Sequence, residues 1–211
     1  MKLLIPLVLL LLQTASFTKF SYCVDRSRGP YENQCVELDA AGNGNVRFKR
    51  RGGDEIQKDL TLSSSAREKY LAVMAATNNL EQGASYESNK KVADLGRKRL
   101  KLEQAGGPPR EADFNYSTRK EVTDLVAFFD GIINQETIAF DIETALQFDR
   151  LSIPKRLDLI ETELKANRIS DPELLVPLLD RIQADQRLMN YARARAGKMK
   201  ESILTKKTNQ R

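Results

Sequence analysis

The stretch TRKEVTDLVAFFDGIINQETIAFDIETAL, Thr118 to Leu146, decides the fold. Val122, Leu125, Val126, Phe129, Ile132 and Ile133 recur at intervals of three and four, the spacing that lines one face of a helix, and Ile138, Ile142 and Leu146 continue it. Thr118 stands where an N-cap belongs. Gly131 lies inside the run, where a glycine costs about 1 kcal/mol relative to alanine, and is a candidate break. The apolar positions are too numerous for a single stripe facing water. The helix is therefore expected to join two units, with Phe129 buried between them.

On its N-terminal side the pattern changes to period two. Val36 and Leu38, Val46 and Phe48, and Ile56, Leu60 and Leu62 fall on alternating positions, which predicts three short strands. Asp39 to Asn45 and Arg51 to Asp54 are rich in residues that tolerate positive φ, so these strands should form antiparallel hairpins. The single carboxylate of Asp39, with no Glu to close the loop, marks a turn rather than a calcium site. Ser63 to Ser65 offer an N-cap for a helix carrying Tyr70, Leu71, Val73, Met74 and Leu80 and ending near Gly83. Strand character returns at Val92 to Glu103 and Arg110 to Tyr116, around a Gly106-Gly107-Pro108-Pro109 turn. The expectation is an α+β unit, an antiparallel sheet of about five strands with one packed helix.

On the C-terminal side, Pro154 and Pro172 mark two helix starts, each behind a capping candidate. Leu157, Ile160 and Leu164 form the inner face of the first helix. Leu174, Leu175, Leu178, Leu179 and Ile182 form that of the second, with Pro177 confined to its opening turns. A last helix from about Arg187 to Leu204 carries Leu188, Tyr191, Met199 and Ile203. Helices of this length joined by short loops pack as antiparallel neighbours, a small bundle. The organisation read from the sequence is a leader at 1–16, an N-terminal arm at 17–34, the α+β domain at 35–135 and the helical domain with its basic tail at 136–211.

The leader reading rests on Lys2, the apolar block Leu3 to Leu12, and the small residues Thr14, Ala15 and Ser16. The block is about half the length of a bilayer-spanning helix and lacks the polar stripe of a buried one. It reads as a signal peptide cleaved after Ser16, and the mature chain is expected in the periplasm or outside the cell. Phe20, Ser21 and Tyr22 lack the small residues that precede a lipidated cysteine, which turns the reading of Cys23 away from a lipoprotein. In an oxidising compartment the only two cysteines, Cys23 and Cys35, are expected to pair, and closing so short a loop stabilises by about 3 kcal/mol on the chain-entropy model. The competing reading is a pair of reduced thiols in a loosely ordered arm.

The chain contains no histidine, which removes imidazole-based metal sites, triads and proton shuttles. Carboxylates are the remaining catalytic resource. Asp141 with Glu143, and Glu161 with Glu163, stand two apart on helices and so point in different directions, unlike the flanking pair of a glycosidase. Asp94, Asp113 and Asn115 sit on candidate strands and either converge or decorate a polar face. The net charge is +5, but residues after Gln186 carry +7, leaving −2 for the rest. Arg193, Arg195, Lys198 and Lys200 are accordingly a candidate anion-binding set. The competing reading is a helix end whose cations complement the macrodipole. No aromatic platform accompanies them, which disfavours nucleic acid.

Three segments stand out: Tyr86-Glu87-Ser88 with Lys91-Val92-Ala93-Asp94-Leu95-Gly96, Arg110-Glu111-Ala112-Asp113-Phe114-Asn115-Tyr116, and Leu164-Lys165-Ala166-Asn167-Arg168-Ile169-Ser170-Asp171-Pro172. With these segments the chain resembles a group of exported, uncharacterised proteins from soil bacteria. The resemblance implies a bacterial envelope location and carries no activity to any residue. The expectation is a non-enzymatic exported protein that uses no cofactor and acts on a protein partner in the envelope. The alternatives are a carboxylate-dependent secreted enzyme and a polyanion binder acting through the C-terminal helix.

Overall fold

A computed structural model of the chain describes residues 17–26 and 29–208. Six strands form one antiparallel sheet: β1 (Lys19–Asp25), β2 (Tyr31–Leu38), β3 (Asn43–Arg50), β4 (Glu55–Thr61), β5 (Arg97–Glu103) and β6 (Arg110–Phe114). Their order is β4-β3-β2-β1-β5-β6. The first four form a meander with tight turns, in which the Gly42 amide donates to the Asp39 carbonyl at 3.0 Å and that of Gly53 to the Arg50 carbonyl at 2.8 Å. Helix α1 (Ser64–Ala76) then carries the chain back so that β5 joins the free side of β1.

Residues 17–34 are therefore not an arm. They supply β1, which lies inside the sheet, and the start of β2, raising the strand count to six. Phe20, Tyr22 and Val24 alternate inward between Lys19, Ser21 and Cys23, the same period two seen further along. In β2 an extra residue breaks the register with β3 between Glu32 and Cys35, with Asn33 at φ 49°. This bulge keeps both Tyr31 and Val36 on the covered face and leaves Cys35 on the other.

Helix α1 is capped by the Ser63 hydroxyl, which accepts from the Ala66 amide at 3.3 Å. It stops at Ala76 instead of near Gly83, because Asn78, Asn79 and Leu80 take positive φ and turn Leu80 into the core. Arg110 of β6 donates to the carbonyls of all three. Strand β5 starts at Arg97, later than the Val92 boundary, because residues 93–96 are looped back onto Asn115.

Helix α2 (Lys120–Phe148) is continuous for 29 residues. It starts behind Arg119, and no side chain caps it, so Thr118 does not serve as the cap. Gly131 is no break. A Cβ there would lie 2.1 Å from Ser170 Oγ, so the glycine makes room for the segment after the next helix, and Ser170 Oγ donates to the Phe128 carbonyl at 2.7 Å. The first half of α2 packs Val122, Leu125, Phe129, Ile132 and Ile133 against α1 and one sheet face. Its second half packs Ile138, Ile142 and Leu146 among α3 (Ile153–Lys165), α4 (Val176–Ala184) and α5 (Asn190–Thr208). The helix thus continues without interruption past residue 136, where the start of the helical domain was expected. Among the described residues no helix is long and apolar enough to cross a membrane.

Candidate functional site

Because α1 and α2 cover one face of the sheet, the alternate residues of every strand face the other way, and no described helix lies on them. The central feature of this open face is a disulfide between Cys23 and Cys35. The two residues are directly opposed on β1 and β2, with Cα atoms 4.1 Å apart, and both are half-buried. The pairing continues outward in both directions. Gln57, Arg47, Cys35, Cys23, Arg99 and Asp113 form one transverse row from β4 to β6. The disulfide therefore has an arginine on each side.

The neighbouring row runs Asp59, Asn45, Glu37, Ser21, Lys101 and Glu111. Glu37 is its anchor. Burial raises its pKa, but ion pairs with Lys19 at 2.6 Å and Arg47 at 2.8 Å outweigh that and leave it below the usual carboxylate range. Lys101 reaches Glu103 at 3.3 Å and Glu111 at 3.9 Å, and Asp113 pairs with Arg97. The side chain of Arg99 has no hydrogen bond or ion pair among the described residues and is exposed. An open groove of about 720 Å³ follows β1, β5 and β6 here, lined by Cys23, by the cations Lys19, Arg99 and Lys101, and by the carboxylates Glu37, Glu103, Glu111 and Asp113.

On the covered face two tyrosines of the sheet donate to carboxylates of α2. Tyr22 reaches Asp130 at 2.7 Å, beside Arg26 at 2.8 Å, and Tyr31 reaches Asp141 at 2.7 Å, beside Arg50 at 3.2 Å. Burial, then the adjoining carboxylate, pushes both phenols upward in pKa. Lys58, on the inward side of edge strand β4, reaches Glu136 at 3.2 Å and Glu143 at 3.5 Å. These bonds fix the sheet to the helix.

The carboxylate pairs singled out in the sequence separate onto different partners. Asp141 turns to the sheet and Glu143 to Lys58 and Arg181, while Glu161 meets Lys165 and Arg195 and Glu163 meets Arg168 and Asn134. Asp94 and Asn115 brace the 93–96 loop, with Asp94 accepting from the Gly96 amide at 2.9 Å and Asn115 from that of Leu95 at 2.8 Å. Asp39 closes its turn by accepting from the Asn43 amide at 2.9 Å.

The four C-terminal cations do not share one open face. Arg195 joins α5 to Asp158 and Glu161 of α3, whereas Lys200 pairs with Asp180 of α4 at 2.7 Å and Arg193 donates to the Gln183 carbonyl at 3.2 Å. Lys198 alone of the four is exposed and without a partner among the described residues. Sequence reading missed Lys98, which is in phase with Leu100 and Leu102 and buried, its ammonium donating to the Gly96 and Asn115 carbonyls at 2.9 Å each. Burial lowers its pKa. Asp171, one of the two capping candidates before Pro172, makes no side-chain capping bond there; it is fully buried and accepts from the Ser63 amide at 2.7 Å and hydroxyl at 2.8 Å, while its own amide donates to Gln135 at 2.9 Å. Burial raises its pKa, against the pull of the Ser63 bonds.

No protein-family model matches the chain, and no curated protein matches it.

Proposed function

We propose that the chain is a non-enzymatic interaction module of a bacterial envelope, exported after removal of residues 1–16, and that the open face of the sheet docks its protein partner. The observation that carries this reading is a whole face of a six-stranded sheet left bare among the described residues, with side chains of both charges set in defined rows. Charge complementarity of that kind selects a partner and speeds encounter. The disulfide is compatible with an oxidising compartment. The non-catalytic part of the reading is supported by the separation of the two sequence-adjacent pairs, Asp141 from Glu143 and Glu161 from Glu163, onto different cations.

The test is a pull-down from the native envelope with mass-spectrometric identification, using wild type, Arg47→Glu/Lys101→Glu on the open face, and Lys155→Glu/Arg181→Glu on the helical side. One reproducible partner should be retained by wild type and the helical variant and lost by the sheet variant. A partner lost with the helical variant instead would place docking elsewhere. Intact mass of exported protein should lack residues 1–16, and a membrane-bound species keeping Met1 would remove the export step.

A further inference from the structure

The disulfide sits in an unusual chemical setting for a purely structural bond. It is on the open face, it bridges two strands already joined by main-chain hydrogen bonds, and its row places a cation on either side. β1 is held by β2 and β5, and β2 by β1 and β3, so opening the bond does not release either strand. Both strands keep a neighbour on each side whether or not the bond is closed.

We propose that Cys23–Cys35 is a thiol-exchange site for small thiols that carry carboxylates. Displacement at a disulfide proceeds with the attacking, central and leaving sulfurs in line. Cys35 lies on the β2 side of Cys23, and the side of Cys23 that faces away from it is that of β5. That is where the groove opens, and Cys23, not Cys35, lines it. Arg99 stands beside Cys23 on this approach, uncommitted to any carboxylate among the described residues, with Arg97 and Lys101 on the same side of its strand. It attracts the carboxylates and the thiolate of the incoming molecule. Arg47 stands beside Cys35, where negative charge appears as the bond breaks, and a neighbouring cation makes a thiolate a better leaving group.

In the first step the external thiolate forms a bond to Cys23 Sγ, and the electron pair of the broken S–S bond departs on Cys35 Sγ as a thiolate. In the second, another external thiolate attacks the external sulfur of the mixed disulfide, giving the oxidised small thiol and the Cys23 thiolate. Two thiols supply the two electrons. The reverse sequence reoxidises the protein with the small disulfide. Arg99 is a positioning residue in this scheme, since it touches no bond that breaks.

The experiment treats purified exported protein with mercaptosuccinate, an anionic thiol, or cysteamine, a cationic one, each rate being divided by that thiol's rate on a neutral small disulfide. Acid quenching and peptide mapping locate the first adduct. At about 0.01 M salt, where screening extends over about 30 Å, mercaptosuccinate should be favoured about tenfold, the gap closing at about 0.5 M. The adduct should sit on Cys23, and near-UV circular dichroism should survive full reduction. Arg99→Glu should reverse the preference and Arg99→Lys should keep it. Equal normalised rates, a first adduct on Cys35, or reduction that occurs only in denaturant would each overturn the proposal. No protein partner enters the measurement, so its failure leaves the docking reading standing, and loss of docking leaves the exchange standing.

Discussion

Rings meet rings on the sheet side of the molecule. Phe129 of α2 lies 5.0 Å from Phe20, 5.5 Å from Tyr22 and 5.8 Å from Tyr70 between ring centroids, and Phe48 of β3 meets Tyr31 and Phe140. The core shared by the second half of α2 with α3, α4 and α5 buries only Ile, Leu, Ala and Met. What this second core lacks in rings it supplements at its rim, where Arg195 ties α5 to α3 and Lys200 ties α5 to α4. The difference predicts two kinds of sensitivity. Ion pairs occur on both sides, but only the sheet side backs them with a ring cluster, so packing defects should dominate there and loss of an ion pair should be felt more between the helices.

The largest expected effect breaks the ring cluster. Phe129→Ala should destabilise by about 3 to 5 kcal/mol, because a fully buried phenyl loses both its transfer energy and four ring neighbours. A chemical denaturation midpoint equal to wild type would mean that the rings are not the joint. Next in size is Gly131→Ala. The added methyl would meet Ser170 and push away the segment that carries Asp171, a strain of about 1 to 3 kcal/mol. On helix propensity alone the same change should stabilise, so the sign of the measured shift separates the two effects.

Much of this contrast was legible in residue spacing. The three-and-four run of α2 identified the joint and the burial of Phe129, and period two located β2, β3 and β4. β1 was missed although Phe20, Tyr22 and Val24 alternate correctly, because residues 17–34 read together as an N-terminal arm. Without β1 the opposed register of Cys23 and Cys35, and the arginines beside them, had no place to appear. Spacing records which residues face together on one element and says nothing of partners on another. The C-terminal cations therefore looked like a free pole until their carboxylates on α3 and α4 came into view.

Acid should separate the two regions further. Hydrogen bonds from Lys165 and Arg195 pull the Glu161 pKa down to about 2, below its unfolded value of about 4.3. The stability it contributes is present above about pH 4.3 and is lost as pH falls toward 2. Glu163, lowered by Arg168 and Asn134, acts in the same direction, and so does Glu37 on the sheet, though it is lowered less far than Glu161. Asp171 has the opposite sign, since its folded pKa is raised: its penalty appears as pH rises from the unfolded value through the folded one, and disappears in acid. The helical rim should therefore loosen in acid while the buried Asp171 knot tightens. Ellipticity at 222 nm should begin to fall at a higher pH than the near-UV signal of the rings. Coincident loss of the two signals would show that the cores do not respond separately.

The smallest effect distinguishes the cations of α5 from one another. Arg195→Ala removes contacts to Asp158 and Glu161 and the packing of its half-buried stem, so it should lower the midpoint at low ionic strength. Much of that loss should disappear at about 1 M salt, where screening falls to about 3 Å and wild type has already lost the electrostatic part. Lys198→Ala, one helical turn away, removes an exposed ammonium with no partner among the described residues and should leave the midpoint unchanged at either salt. The pair of variants controls for charge, since each removes one positive charge from the same helix. If both lowered the midpoint equally, the basic helix would act through its overall charge, and the rim would owe nothing to particular ion pairs. If only Arg195 matters, the excess of cations after Gln186 is in part the second core's substitute for the rings it does not have.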